Sequence, residues 1–334
     1  MTKPNITQII PNMKAESGGP VNVLLLYKSI LDRIGIDNNI IQTDQKAFIN
    51  LKEFIKKPKV IYFSHCIWDI RSYIYFIFCI DKYIFSHGML AKKAFFNATW
   101  KKKLFSNLFY TLINIMNVKI IFGSKQELDQ SVFIPRQHII LANPVEPSRV
   151  IKKSSLKSFR RGKTKFVYFS RFEKRKGLLE LLNAFISLPS DKSEFHIVGL
   201  KSDLEYEERV TRFIENIPNI ILYKNLTGVK ARKIMQRCDI ICLWSDFEGQ
   251  PMSILEGVAD GLLPLVSPNC NLPFETMNYF GLGDCKDDTD LKTIFHYFNV
   301  FSRQKLEELR KNYISSNLFL NEINKKVENF LRQL

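Results

Sequence analysis

Between Asp239 and Pro268 the chain spells a strand, a loop, a helix and a second strand in immediate succession. Asp239-Ile-Ile-Cys-Leu-Trp244 is a short apolar run bounded by polar residues, the pattern of a buried strand that ends in a loop. A helix should begin near Pro251, because proline in a first helical turn forfeits no hydrogen bond, and Met252 to Ala259 continues it until Asp260-Gly261. Leu263-Pro-Leu-Val266 is the strand that follows. Strands tied to one another through helices belong to an open parallel sheet with helices on both faces.

The same alternation runs through the rest of the chain. Strands are expected at Ile6–Ile10, Asn39–Thr43, Val60–Ser64, Tyr83–Ser86, Lys119–Phe122 and Gln137–Leu141. Helices are expected at Pro20–Ile34, Gln45–Lys56, Tyr73–Cys79, Ala91–Met116 and Lys125–Val132. A basic polar run from Lys152 to Lys165 reads as a linker, and a second alternating half opens at Phe166-Val-Tyr-Phe-Ser170. At 334 residues the chain has the length of about two domains. Leu291–Tyr297, Gln304–Ser315 and Phe319–Leu331 are helical by period.

Glu248 lies just before the helix that starts near Pro251, and Glu256 lies within it. A helix start offers free N–H groups to an anion, and the two carboxylates beside it can accept hydrogen bonds from hydroxyls. A sugar nucleotide presents both kinds of group. This stretch resembles the Glu-x7-Glu signature of retaining glycosyltransferases of family 4. The resemblance implies the GT-B fold, two Rossmann-like α/β domains with parallel sheets facing a central cleft. It puts Glu248 at the donor sugar, Met252 and Ser253 at the phosphates and Glu256 at the ribose. Arg171 and Lys176, in Arg-Phe-Glu-Lys-Arg-Lys176-Gly177, match the family's basic element that neutralises the donor diphosphate; Ser170 and Phe172 depart from its usual Gly and Leu.

In the first half, Gly18-Gly19 follows a strand and precedes a helix. That is either a tight turn or the place where a backbone approaches an anion, and the family carries a glycine pair here. His87-Gly88-Met89-Leu90 closes a strand at the edge where such sheets place ligands. It resembles a family subgroup with an Arg- or His-Gly-Met-Leu turn, which implies His87 as a donor to the sugar; a packed or capping His is the other reading. His65 is a weaker candidate by the same logic. Asn143-Pro144-Val145 resembles the turn with which the family leaves its first domain. The domains expected are residues 1–150 for the acceptor, 151–316 for the nucleotide sugar, and a helix at 317–334 crossing back to the first.

A net charge of +16 asks for an anionic partner. Gly88 to Gln126 holds no acidic residue but contains Lys92, Lys93, Lys101, Lys102 and Lys103 with Phe95, Trp100, Phe105, Leu108 and Phe109. Basic and apolar residues interleaved in this way suit an anionic membrane surface better than a nucleic-acid groove, so no nucleic-acid partner is expected. Six cysteines form no CxxC pair, and no DxD-type motif stands out, so neither a metal nor a cofactor is expected. With no signal peptide or membrane span, the expectation is a cytoplasmic enzyme, peripheral on the inner face of the cell membrane. It would move a sugar from a UDP- or GDP-sugar to a saccharide acceptor, expected to be lipid-linked, in surface polysaccharide or glycolipid synthesis. The rivals are another GT-B activity, inverting or hydrolytic, and a non-enzymatic nucleic-acid-binding protein.

Overall fold

The computed structural model describes residues 5–13, 18–44, 60–96, 100–146, 162–272, 291–295, 303–316 and 319–334, with backbone only at 96, 100–104, 303, 313–316 and 319. The helix expected at 45–56, most of the linker, the segment 273–290 and the side chains of Trp100 and Lys101–Lys103 lie outside the description. Contacts divide the chain into two units. One comprises Met1–Pro144, Phe247–Gln250 and Glu322–Leu334, and the other Val145–Asp246 and Pro251–Asn321.

The first unit is built on six parallel strands, β1 (Asn5–Ile10), β2 (Asn38–Gln42), β3 (Val60–Ser64), β4 (Asp81–Phe85), β5 (Lys119–Phe122) and β6 (His138–Ile140). Their order is β2-β1-β3-β4-β5-β6. All five residues of β3 are buried, as an apolar run covered on both faces requires. Helix α1 (Gly19–Ile34) has Pro20 in its first turn and ends on Gly35, whose φ of 68° is the left-handed cap that glycine adopts without strain. Its buried residues Val23, Leu24, Tyr27, Ile30 and Leu31 form one stripe at helical spacing. From the last helix, Phe330 packs on Phe63 and Tyr83, and Glu328 pairs with Arg33.

The helix expected at Tyr73–Cys79 is instead a 3₁₀ segment over Ile70–Phe78. Asp69 explains the difference. Its carboxylate accepts from the Arg71 amide, and its carbonyl accepts from both the amide and the hydroxyl of Ser72, which tightens the first turn to i→i+3 spacing. The basic stretch that follows contains α2 (Lys92–Phe96) and α3 (Trp100–Ile115). Trp68 and Tyr73 pack against Phe105 and Phe109 of α3. Phe95 and Phe109 are buried, whereas Leu108, Leu112 and Ile115 form an exposed apolar row on α3 at i, i+4 and i+7. A short helix α4 (Lys125–Asp129) sits behind β5.

The second unit carries five parallel strands, β7 (Thr164–Arg171), β8 (Ser193–Leu200), β9 (Ile220–Lys224), β10 (Ile240–Leu243) and β11 (Leu263–Val266). Their order is β11-β10-β7-β8-β9. Helices α5 (Leu178–Phe185), α6 (Leu204–Ile214), α7 (Gly228–Met235) and α8 (Met252–Ala259) join them. The rings of Phe166, Phe185, Phe195 and Phe295 pack together in its core. Each is fully buried, a contribution of roughly 1.5–3 kcal/mol apiece. Two last helices, α9 (Arg303–Ser316) and α10 (Phe319–Gln333), close the chain. Among the described residues no helix is long and apolar enough to cross a membrane.

Candidate active site

In an open parallel sheet a crevice forms outside the carboxyl ends of two neighbouring strands whose connections run in opposite directions. In the second unit that pair is β7 and β10, since the chain winds from β7 through β8 to β9 on one side and from β10 to β11 on the other. Arg171 ends β7, and the loop after β10 leads into α8. The two strands are in register, Ile240 beside Phe166 and Cys242 beside Tyr168, so both loops leave at the same edge.

Backbone contacts stitch those loops together. The carbonyl of Arg175 accepts from the Asp246 amide at 2.8 Å and from the Ser245 hydroxyl at 3.1 Å. Ser267 Oγ in turn donates to the Ser245 carbonyl at 2.6 Å. Gly177 has φ 65°, and a Cβ there would overlap the carbonyl of Trp244, so only glycine fits where the two loops touch. Lys176, just before it, is buried to 6 % exposure. Arg171 is partly exposed and pairs with Glu173 at 2.9 Å. Glu173 also binds Arg175 at 2.8 Å and accepts from Ser202 at 3.0 Å. Nothing in the Arg-Phe-Glu-Lys-Arg-Lys spacing marked Glu173 out, yet it neutralises part of the charge that this loop offers an anion.

Helix α8 starts after Pro251 with no side-chain cap. The amides of Met252 and Ser253 have no acceptor within the helix, which makes its first turn a place for negative charge. Met252 is buried, while Ser253 and Glu256 are the partly exposed positions of a helix turn otherwise buried. Gly257 allows close packing, because a Cβ there would meet the side chain of Ile241 on β10. The second unit therefore brings Arg171, Lys176, Met252, Ser253 and Glu256 to the two loops and the helix at one sheet edge.

In the first unit the corresponding strands are β1 and β3. Gly18, at φ 66° and ψ −132°, starts α1 in a backbone conformation suited to glycine, with Gly19 and Pro20 in the first turn. His65 follows β3 and His87 follows β4. Their rings meet, His65 Nδ1 lying 3.2 Å from His87 Nε2, and His65 Nε2 lies 3.2 Å from Gln8 Oε1. The His65 ring stacks on Phe85 with centroids 4.4 Å apart. His87 takes a left-handed φ of 44° and Gly88 one of 75°.

A buried carboxylate that sequence reading missed fixes this turn. Glu127 accepts from the Gly88 amide at 2.6 Å, from Ser86 Oγ at 2.5 Å and from the Gly123 amide at 2.7 Å. Its own amide donates to Ser124 Oγ, so Ser124-x-x-Glu127 reads locally as a helix-capping pair. Its side chain, however, reaches across to the end of β4. The segment Glu248-Gly249-Gln250 packs against the same turn. A Cβ on Gly249 would overlap the backbone of His87 and Gly88, and Gln250 Oε1 accepts from the Asn143 amide at 2.6 Å. Glu248 is partly exposed beside Gly249.

Burial sets the protonation here. It pushes the His65 pKa well below the ordinary imidazole value, the neighbouring His87 adding to the effect, and pushes His87 down to about 4. Burial raises that of Glu127, against the pull of its three donors. Folded imidazoles that bind protons less readily than unfolded ones leave the fold at full strength above pH 6.5, and that contribution is lost as the pH falls from 6.5 through about 4. Glu127 acts with the opposite sign and is common to both proteins in the following test. In urea unfolding from pH 7 to 4, replacing His65 and His87 together by Asn should flatten the decline in stability seen in the wild type. An unchanged slope would contradict the burial of neutral imidazoles.

Residues 151–314 match the family model described as "Glycosyl transferases group 1". Solved structures share the fold over the whole chain. A glycosyltransferase from Rickettsia africae ESF-5 is 18 % identical with a TM-score of 0.69, covering 100 % of this chain and 99 % of that one. Sucrose-phosphate synthase from Thermosynechococcus elongatus is 12 % identical with a TM-score of 0.69, covering 99 % of each. WaaG, a glycosyltransferase involved in lipopolysaccharide biosynthesis, is 13 % identical with a TM-score of 0.66, covering 98 % and 99 %. No curated protein matches by sequence. The chain has the GT-B fold of these glycosyltransferases, and within it residues 151–314 are similar to the glycosyl transferases group 1 family.

Proposed function

We propose that the chain is a metal-independent retaining glycosyltransferase of family 4 that uses a UDP- or GDP-sugar and transfers the sugar to a saccharide, one carried on a lipid. The observation that carries this reading is the meeting of two separately recognised motifs at one switch point. The Arg171–Lys176 loop and the loop into α8 share hydrogen bonds at Arg175, Ser245 and Asp246, inside the matched domain. A diphosphate there would meet Lys176, the Met252 and Ser253 amides, and Arg171 once it exchanges Glu173 for phosphate. Glu256 would hold the ribose hydroxyls and Glu248 the sugar. Among neighbours of the same fold, one is described as bound with UDP-2-fluoro glucose and another as in complex with UDP and GlcNAc.

The chemistry follows from preorganised charge. As the bond between the sugar C1 and the phosphate oxygen breaks, negative charge grows on the diphosphate, and fixed cations and amides stabilise it at no cost of reorganisation. The acceptor oxygen bonds to C1 on the same face, and its proton passes to the departing phosphate oxygen. Glu248 orients and polarises the sugar in this scheme and forms no bond to it. Release of nucleoside diphosphate from UDP- and GDP-sugars, measured in excess chelator, tests the reading. Lys176→Ala and Arg171→Ala should each lower turnover by about two orders of magnitude with the fold retained. Wild-type turnover in both variants, or activity that returns only with added magnesium or manganese, would refute the clamp.

A place on the inner face of the cell membrane is supported by the exposed row Leu108, Leu112 and Ile115 on α3 and by exposed Lys92 and Lys93 on α2. Lys101–Lys103 precede that row in sequence. Each lysine near an anionic surface contributes roughly 1 kcal/mol. Co-sedimentation should therefore favour anionic over neutral vesicles, and Gln at Lys92, Lys93 and Lys101–Lys103 together should abolish that preference. Indifference of the wild type to lipid charge would overturn the membrane reading.

A further inference from the structure

Gln8, His65 and His87 form a chain of hydrogen bonds across three neighbouring strands: Gln8 within β1, His65 after β3 and His87 after β4. Both imidazoles are neutral near pH 7, since burial holds each below its ordinary value. A neutral imidazole carries one N–H and one lone pair. The two contacts therefore run in a single direction, and whichever group stands at the end sets it for all. Gln8 Oε1 is a carbonyl oxygen and can only accept. His65 must then hold its proton on Nε2 and offer a lone pair at Nδ1, and His87 must donate from Nε2 into that lone pair.

We propose that Gln8 sets the tautomer of His87 through His65, so that His87 presents Nδ1 as an acceptor for a sugar hydroxyl. Gln8 and His65 are positioning residues in this assignment. It reverses the donor role that the family resemblance implies for His87, because the reversed role needs the Gln8 amide turned to donate. The surroundings hold the rings in line. Phe85 stacks on His65 and lies 5.7 Å from His87, Tyr27 meets His65 edge-on, and Glu127 pins the amide of Gly88. Gln8 is fully buried, and its Nε2 has no partner among the described residues. Its Oε1, not its Nε2, is the end that lies against His65 Nε2, and that placement gives the chain its direction.

The tautomer is independent of the reaction, and only the sugar hydroxyl rests on the proposed glycosyl transfer. Long-range proton–nitrogen correlation spectra of the full chain labelled with ¹⁵N-histidine read both. In the wild type at pH 7.5, His65 and His87 should each show the Nε2–H form. Gln8→Met, close in size but without hydrogen-bonding groups, should lose that single form at His87 and give a mixture. Nδ1–H at His87 in the wild type, or an unchanged single tautomer in folded Gln8→Met, would overturn the proposal; the wild-type spectrum decides alone if the variant does not fold. UDP-glucose and GDP-mannose then probe the hydroxyl. The probe that binds should shift the His87 Nδ1 signal, whereas binding without a shift would overturn the acceptor role. Failure of every sugar nucleotide to bind, with the tautomer as stated, would count against the glycosyl-transfer reading and leave the relay standing.

Discussion

Gly177 lies against the carbonyl of Trp244 with no room between them for a side chain. That contact fixes how the loop after β7 meets the loop after β10, and the second unit's candidate site depends on it. Without it, the hydrogen bonds from Ser245 and Asp246 to the Arg175 carbonyl would lose their partner's position. Lys176 would then be free to leave the buried place it occupies beside Gly177. Loops are ordinarily the most variable parts of an α/β unit. Here two of them are joined backbone to backbone, so the cation and the helix start are held on a rigid frame.

The first unit solves a similar problem with a side chain. The carboxylate of Glu127 gathers the Gly88 and Gly123 amides and the Ser86 hydroxyl, and Gly88 and Gly249 meet backbone to backbone beside it. This arrangement holds His87 in a left-handed conformation that an L-residue adopts at some cost. A strained turn kept by a saturated network of donors is a feature of a site that needs one side chain in one place.

Much of the architecture was legible because it is written locally. Apolar runs such as Val60–Ser64 and Phe166–Ser170, glycine at Gly35 and Gly261, and proline at Pro20 and Pro251 act over a few residues, and the strands and helices follow them closely. The 3₁₀ segment at Ile70–Phe78 was missed because it depends on Asp69 and Ser72 bonding to the backbone in competition with a helix. In the site, Lys176 and Glu256 stand out through their motifs. Glu127, Gln8 and Gln250 do not, because each reaches a partner between 39 and 107 residues away, and Glu173 does not, because it sits inside a run that reads as basic and pairs with that run's own Arg171 and Arg175. Glu127 shows the limit well: its local pattern is that of a helix cap, and only the placement of β4 beside β5 turns it into the anchor of the His87 turn.

The central claim is that the switch point of the second unit binds the diphosphate of a sugar nucleotide. A crystal structure of the chain with UDP or GDP bound tests it most directly. The account places the diphosphate oxygens within hydrogen-bond distance of Lys176 Nζ and of the Met252 or Ser253 amide, with Glu256 on the ribose. A nucleotide bound elsewhere, for instance at Gly18 and Gly19 in the first unit, with the edge of β7 and β10 empty, would contradict it.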